Sequence, residues 1–366
     1  DELLADPQFG RNLAGIWGPL LLGDNQNVVN KGPRIEVLSA WLENPFNDQP
    51  WDKIAYDLLT ATGPLNSNGA VRFYLNGQTD EPQRALTDLT DSVSSVLLGV
   101  QIKCAQCHDH FLTPVWKQSD YWGVASFFTN LNLPSPKQGF MDDAKISTRK
   151  EFIDDDARAR LTAPKFLHGE SPTPPLDASG RRVFAEWLTA PDNPYFARAT
   201  VNRTWAHFFG RGLVNPIDDM RADNPPSHPE LLDLLSEQFA ASGFDLKHLT
   251  RAICNSDAYQ RTSKPRAGNE NDAELFSHMA IRVLSGAQLY DSLSAVMNKP
   301  PEAGISLPRA AFVDYFASDT ASTEYNRGIP QLLKLMNSGE FDRYRNKQFS
   351  RMVDDTQPPA ENIEQL

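Results

Sequence analysis

The chain has 366 residues, 40% of them hydrophobic and 10% aromatic, which is the composition of a globular protein with ample core. A formal net charge of −12 with no Lys/Arg cluster argues against a nucleic-acid surface, and no apolar run reaches the length of a membrane span.

The amino-terminal third is expected to be helical. Phe9, Leu13, Ile16, Trp17 and Leu20 fall on one helical face. So do Ile35, Leu38, Trp41 and Leu42, followed by Trp51, Ile54, Leu58 and Leu59, which Gly63 closes. Val71–Leu75 has strand propensity. Leu86, Leu89, Val93, Val96 and Leu97 then predict a helix leading into Cys104-Ala105-Gln106-Cys107-His108.

That pentapeptide has the C-x-x-C-H spacing of a c-type haem attachment: two thiols for the haem vinyl groups and an adjacent imidazole for the iron. Only Cys254 lies outside it among three cysteines. Three other readings stand beside this one. A thioredoxin-like redox pair would follow a strand rather than a helix. A structural zinc site using Cys104, Cys107 and His108 or His110 lacks a second ligand pair. A Cys104–Cys107 disulfide would close a short, strained loop.

The aromatic stretch from Asp120 to Phe128, preceded by Trp116, forms a further helix, either as plain core or as the wall of a pocket. From Thr129 to Gly180, prolines 134, 136, 164, 172, 174 and 175 and the acidic run Asp154–Asp156 mark a connection with some short strands. Helical patterning returns at Arg181. Pro194 suits a first helical position, ahead of a stripe of Phe196, Thr200, Trp205 and Phe208 that ends at Gly210. Arg203 and His207 are four apart on another face, either a polar solvent pair or a functional ledge. Ser227-His228-Pro229-Glu230 has the form of a capping box before Leu231, Leu232, Leu235 and Phe239, and Leu246, Leu249 and Ile253 make the next helix.

The expected architecture is mainly α: two helical domains joined by a Pro-rich, partly β connection. The haem-binding domain spans 1–130, the connector 131–180 and the partner domain 181–366. The opening residues lack a signal-peptide pattern, and Glu361–Leu366 looks like the start of a helix without a stop. Covalent haem is attached outside the bacterial cytoplasm, so the expectation is a trimmed piece of an exported, periplasmic or extracellular protein.

Leu98–His110 continuing to Trp116–Trp122 resembles the planctomycete-type cytochrome c domain. Val201–Gly212, Asn224–Asp233, Phe276–Met279 and Leu335–Asn337 resemble the domain of unknown function that follows it in that family. The family usually has proline where Phe111 stands, and its members continue past the equivalent of Leu366, which implies truncation here.

The resemblance implies haem c held by Cys104 and Cys107 with His108 as the proximal iron ligand. His110 and Trp122 are cofactor-binding candidates. Met141, His168, His207, Met220, His228, His278 and Met279 are distal candidates, with His207 favoured as a second metal ligand. Arg203, Arg211 and Arg221 are candidates for the propionates, since guanidinium groups match carboxylates. Redox chemistry would follow: electron transfer to a partner protein, or haem-dependent oxidation of an extracytoplasmic, glycan-related substrate with His207 and Arg203 as catalytic groups. The alternative is a module whose haem staples the fold while the carboxyl domain engages glycans or proteins.

Overall fold

The computed structural model describes residues 1–23, 31–75, 86–109, 116–129, 132–135, 140–142, 162–167, 169–172, 179–282, 284–297, 309 and 311–313. The protein is mainly helical. In the first part of the chain the main helices are Gln8–Leu22, Lys31–Asp48, Trp51–Leu59, Leu86–Ser92 and Gln118–Ala125. Gly180–Leu188, Phe196–Phe209, Pro229–Ala241 and Leu246–Cys254 follow. Three short strands form an antiparallel sheet in the order Gly63–Pro64, Phe140–Asp142, Asn132–Ser135, so the connector does contain strands.

Packing divides the chain into two compact units, Asp1–Ala280 and Ile281–Leu366. Residues on both sides of the connector therefore share one core within the first unit. Trp17, Leu58, Tyr121, Phe184, Val201 and Leu249 all belong to it. Two contacts show how the chain is drawn together. The Trp51 ring stacks on Phe196 at 6.1 Å between centroids. Arg181, buried at 2% exposure, donates to the carbonyls of Leu59 and Ala61 and lies over the Tyr74 ring. In the second unit the helix Gly286–Val296 opens on a Ser285/Gln288 capping box, and Arg309 grips Asp291 through two bonds of 3.0 and 2.8 Å.

Local expectations fail in three places. Val71–Leu75 is not a strand: Gly69–Tyr74 is a 3₁₀ helix started by Asn68, whose side chain accepts from Ala70 N–H. Val71, Phe73 and Tyr74 are all fully buried, so their β-branched and aromatic character serves burial on every side rather than a pleat. Pro194 precedes its helix instead of opening it, because Asn193 Oδ1 accepts from Tyr195 and Phe196 N–H and the first helical residue is Phe196. The cap before Pro229 is His228, whose side chain makes no capping bond; proline at the first turn sets the start without a box. The aromatic stretch after Asp120 is core: Phe127 stacks on Phe166 at 5.1 Å and Phe128 meets Phe184 edge-on. The helix expected from Glu361 lies outside the described residues.

Candidate functional site

The approach to the C-x-x-C-H turn is unusual. After the α-helix Leu86–Ser92, residues Val93–Leu98 wind as a π-helix and end at Gly99, which is left-handed at φ +69°. Every residue from Val93 to Val100 except Ser95 is buried. Three groups from beyond the connector hold this approach. Arg203 Nη2 donates to Ser95 O at 2.9 Å, Met220 N–H to Gly99 O at 3.0 Å, and Asp218 Oδ1 accepts from Gln101 Nε2 at 2.7 Å.

The motif itself is a 3₁₀ turn, Lys103–Gln106, anchored by the fully buried Ala105 and Ile102 at 1% exposure. Three residues per turn bring positions i and i+3 over one another, so Cys104 and Cys107 share a face. Both are exposed free thiols. His108 is exposed too, and its Nδ1 lies 2.7 Å from the Asp109 carbonyl. A carbonyl only accepts, so Nδ1 is the donor in this contact.

The turn rests on the start of the helix Gln118–Ala125. Gln118 Nε2 donates to the carbonyls of Gln106 and Cys107 at 3.1 and 2.9 Å. Gln118 N–H donates to Asp109 Oδ1 at 2.8 Å, and Trp122 Nε1 to Gln106 O at 3.1 Å. Trp122 is 3% exposed, so it supports the turn from the core side. Lys103 pairs with Asp91 at 3.0 Å, and Tyr121 Oη also donates to Asp91. Burial pushes the Asp91 carboxyl above the usual carboxylate range despite these partners, while the Asp91 hydrogen bond raises Lys103.

His207 and Arg203 do share a ledge. Both line a cavity of about 20 Å³ with Leu13, Trp17, Leu246 and Thr250, and no residue of the motif is among its walls. That volume accommodates about one water molecule. The Arg203 Nε is buried without a partner, and burial lowers the guanidinium pKa, opposed by the nearby Asp218. Arg211 is paired with Glu274 at 2.7 Å and Arg221 with Asp219 and Asp223, so both guanidinium groups are already met by carboxylates.

Among the distal candidates, Met220 touches the approach segment, through its N–H bond to Gly99. His228 Nδ1 sits 3.1 Å from Ser227 Oγ, and its ring leans on Phe276. Met279 packs against the core, and His278 Nδ1 is buried without a partner. His110, His168 and the side chain of Met141 lie outside the described residues. Among the described residues no group of three His, Cys, Asp or Glu side chains forms a metal-ion site, and no helix is long and apolar enough to cross a membrane.

Spacing did not single out Gln118, Asp109 or Gln101. Gln118 stands in the word Trp116–Trp122, but its partners are backbone carbonyls, which leave no mark on a residue pattern.

No curated protein and no solved structure matches the chain. Two family models do. Residues 1–133 match PSCyt2, a protein of unknown function (DUF1549), and residues 180–358 match PSD1, a protein of unknown function (DUF1553). The two models, matched one after the other along the chain, are both planctomycete-type domains of unknown function.

Proposed function

We propose that the turn Lys103–Asp109 is the attachment site of a covalent haem c and that the protein transfers electrons outside the cytoplasm. The observation that carries this reading is the donor set: two exposed thiols on one face of a 3₁₀ turn, followed by an exposed imidazole whose Nδ1 faces the Asp109 carbonyl. These groups fit the cofactor, since Cys104 and Cys107 supply the two thioethers and His108 Nε2 an axial ligand. Bound there, haem would supply one-electron redox chemistry.

The chain's own residues hold and orient the turn. Ala105 and Ile102 anchor it in the core, while Gln118 and Trp122 occupy its carbonyls. Exposure of all three reactive groups favours electron transfer to a partner protein over chemistry in a closed pocket. Localisation in the periplasm or outside the cell follows from where covalent haem is attached in bacteria.

A second reading, haem-dependent oxidation of an external substrate, draws on the cavity shared by His207 and Arg203. There His207 would handle protons and Arg203 would stabilise negative charge.

Expression with a c-type maturation system tests the proposal. Haem should stay on the polypeptide in a denaturing gel and add one haem to its mass. It should be lost in the Cys104→Ala/Cys107→Ala double variant. Release of pigment from the wild type by acid-acetone overturns covalent attachment.

A further inference from the structure

The three outward groups of the turn sit on a backbone that one residue controls from both sides. Gln118 Nε2 donates to the carbonyl of Cys107, the peptide that precedes His108. Gln118 N–H donates to the side chain of Asp109, the residue that follows it. The Asp109 carbonyl is in turn the acceptor for His108 Nδ1. His108 is therefore bracketed, although its ring is exposed and would otherwise rotate freely.

We infer that Gln118 is a positioning residue for His108: it holds the Asp109 carbonyl where it keeps the imidazole proton on Nδ1 and leaves Nε2 available as a ligand. This rests on the haem reading above for its purpose, but the tautomer it specifies is a property of the chain alone. The hydrogen bond at one ring nitrogen decides which nitrogen is free, and a stronger bond at Nδ1 makes Nε2 a better donor to iron. A better donor favours the ferric state and so lowers the reduction potential.

Gln118→Met keeps the length of the side chain and removes its donors. Asp109→Ala keeps the carbonyl and cuts the tie to Gln118 N–H; because Asp109 is exposed, this variant folds even if the first does not. The first measurement uses the full chain without haem. Nitrogen-15 NMR of the His108 ring should show the Nδ1–H form dominant in the wild type. The Nε2–H form should gain several-fold in either variant.

The second measurement uses the haem-loaded protein. Haem content should stay at one per chain, the ferrous iron–imidazole stretching band should fall, and the reduction potential should rise. An unchanged tautomer in variants shown to be folded by circular dichroism overturns the inference. A haem-loaded variant with unchanged band and potential overturns it as well. A wild type without covalent haem but with the expected tautomer shift overturns the haem reading and leaves the positioning role standing.

Discussion

The Trp51 indole N–H donates to Thr200 Oγ1 at 2.9 Å, a buried hydrogen bond between residues 149 apart in the chain. The Thr200 hydroxyl in turn donates to the carbonyl of Phe196, so it is both acceptor and donor. Trp51 belongs to the PSCyt2 match and Thr200 to the PSD1 match. The bond, with the ring stacking beside it, makes the two regions parts of one core up to Ala280.

Thr200→Val preserves shape and removes the acceptor, which leaves the Trp51 N–H orphaned in a dry site. The expected loss is about 1–3 kcal/mol. The midpoint of chemical denaturation followed by tryptophan fluorescence measures it. A loss below about 0.5 kcal/mol would mean the indole finds another partner.

Gly99 and Gly63 offer a paired test of crowding at the approach to the motif. Both have positive φ, +69° and +93°, and an alanine at either costs about 1–2 kcal/mol of backbone strain. At Gly63 the new methyl meets nothing within 4 Å. At Gly99 it would lie 3.0 Å from the Ala199 Cβ and 3.1 Å from the Met220 Sδ. Gly99→Ala should therefore destabilise more than Gly63→Ala, and equal losses in denaturation midpoint would show that the Met220 loop yields.

His108→Ala should change the optical spectrum of the haem-loaded protein far more than His110→Ala. On the haem reading, His108 directly follows the second cysteine of the attachment motif, whereas His110 is too close along the chain to reach the opposite haem face. Equal effects would reverse the assignment of roles.

Asp272 sets part of the acid limit of the first unit. Hydrogen bonding to Ser277, then to the N–H groups of Leu275 and Glu274, holds its carboxyl well below the usual carboxylate range. The folded pKa is depressed, so the stabilisation is present above the unfolded value of 3.8 and is lost as pH falls through the folded one. The gap in urea midpoint between wild type and Asp272→Asn should be full at pH about 5 and shrink steadily as the pH falls below the unfolded value. A gap independent of pH would assign the effect to packing.

Much of the helical scaffold was legible from apolar spacing. Leu246, Leu249 and Ile253 are the buried stripe their positions indicate, and Leu38 and Leu42 are likewise fully enclosed. Elements went astray where burial is not one-sided, as at Val71–Tyr74, because period then carries no information. Cysteine spacing singled out Cys104, Cys107 and His108, and all three are exposed. The contacts that support the motif were hidden for two reasons. Gln118 acts on carbonyls, which every residue type possesses, and Arg203, Asp218 and Met220 reach Ser95, Gln101 and Gly99 across more than a hundred residues. The ledge of Arg203 and His207 was correctly placed on one face, yet its neighbours come from the helices Gln8–Leu22 and Leu246–Cys254, which no local pattern connects.

The π-helical stretch Val93–Leu98 turns residue number itself into a specification. Each of its hydrogen bonds closes over five residues instead of four, so it takes up chain that an α-helix would pass onward. Each residue of an α-helix advances the chain by about 100° and 1.5 Å. Deleting one serine there would remove no apolar side chain and let the segment relax toward α. The cost would appear downstream, where the thiols would point away from the side they now share. Orientation of the reactive face is thus stored as a count, upstream of any residue that reacts.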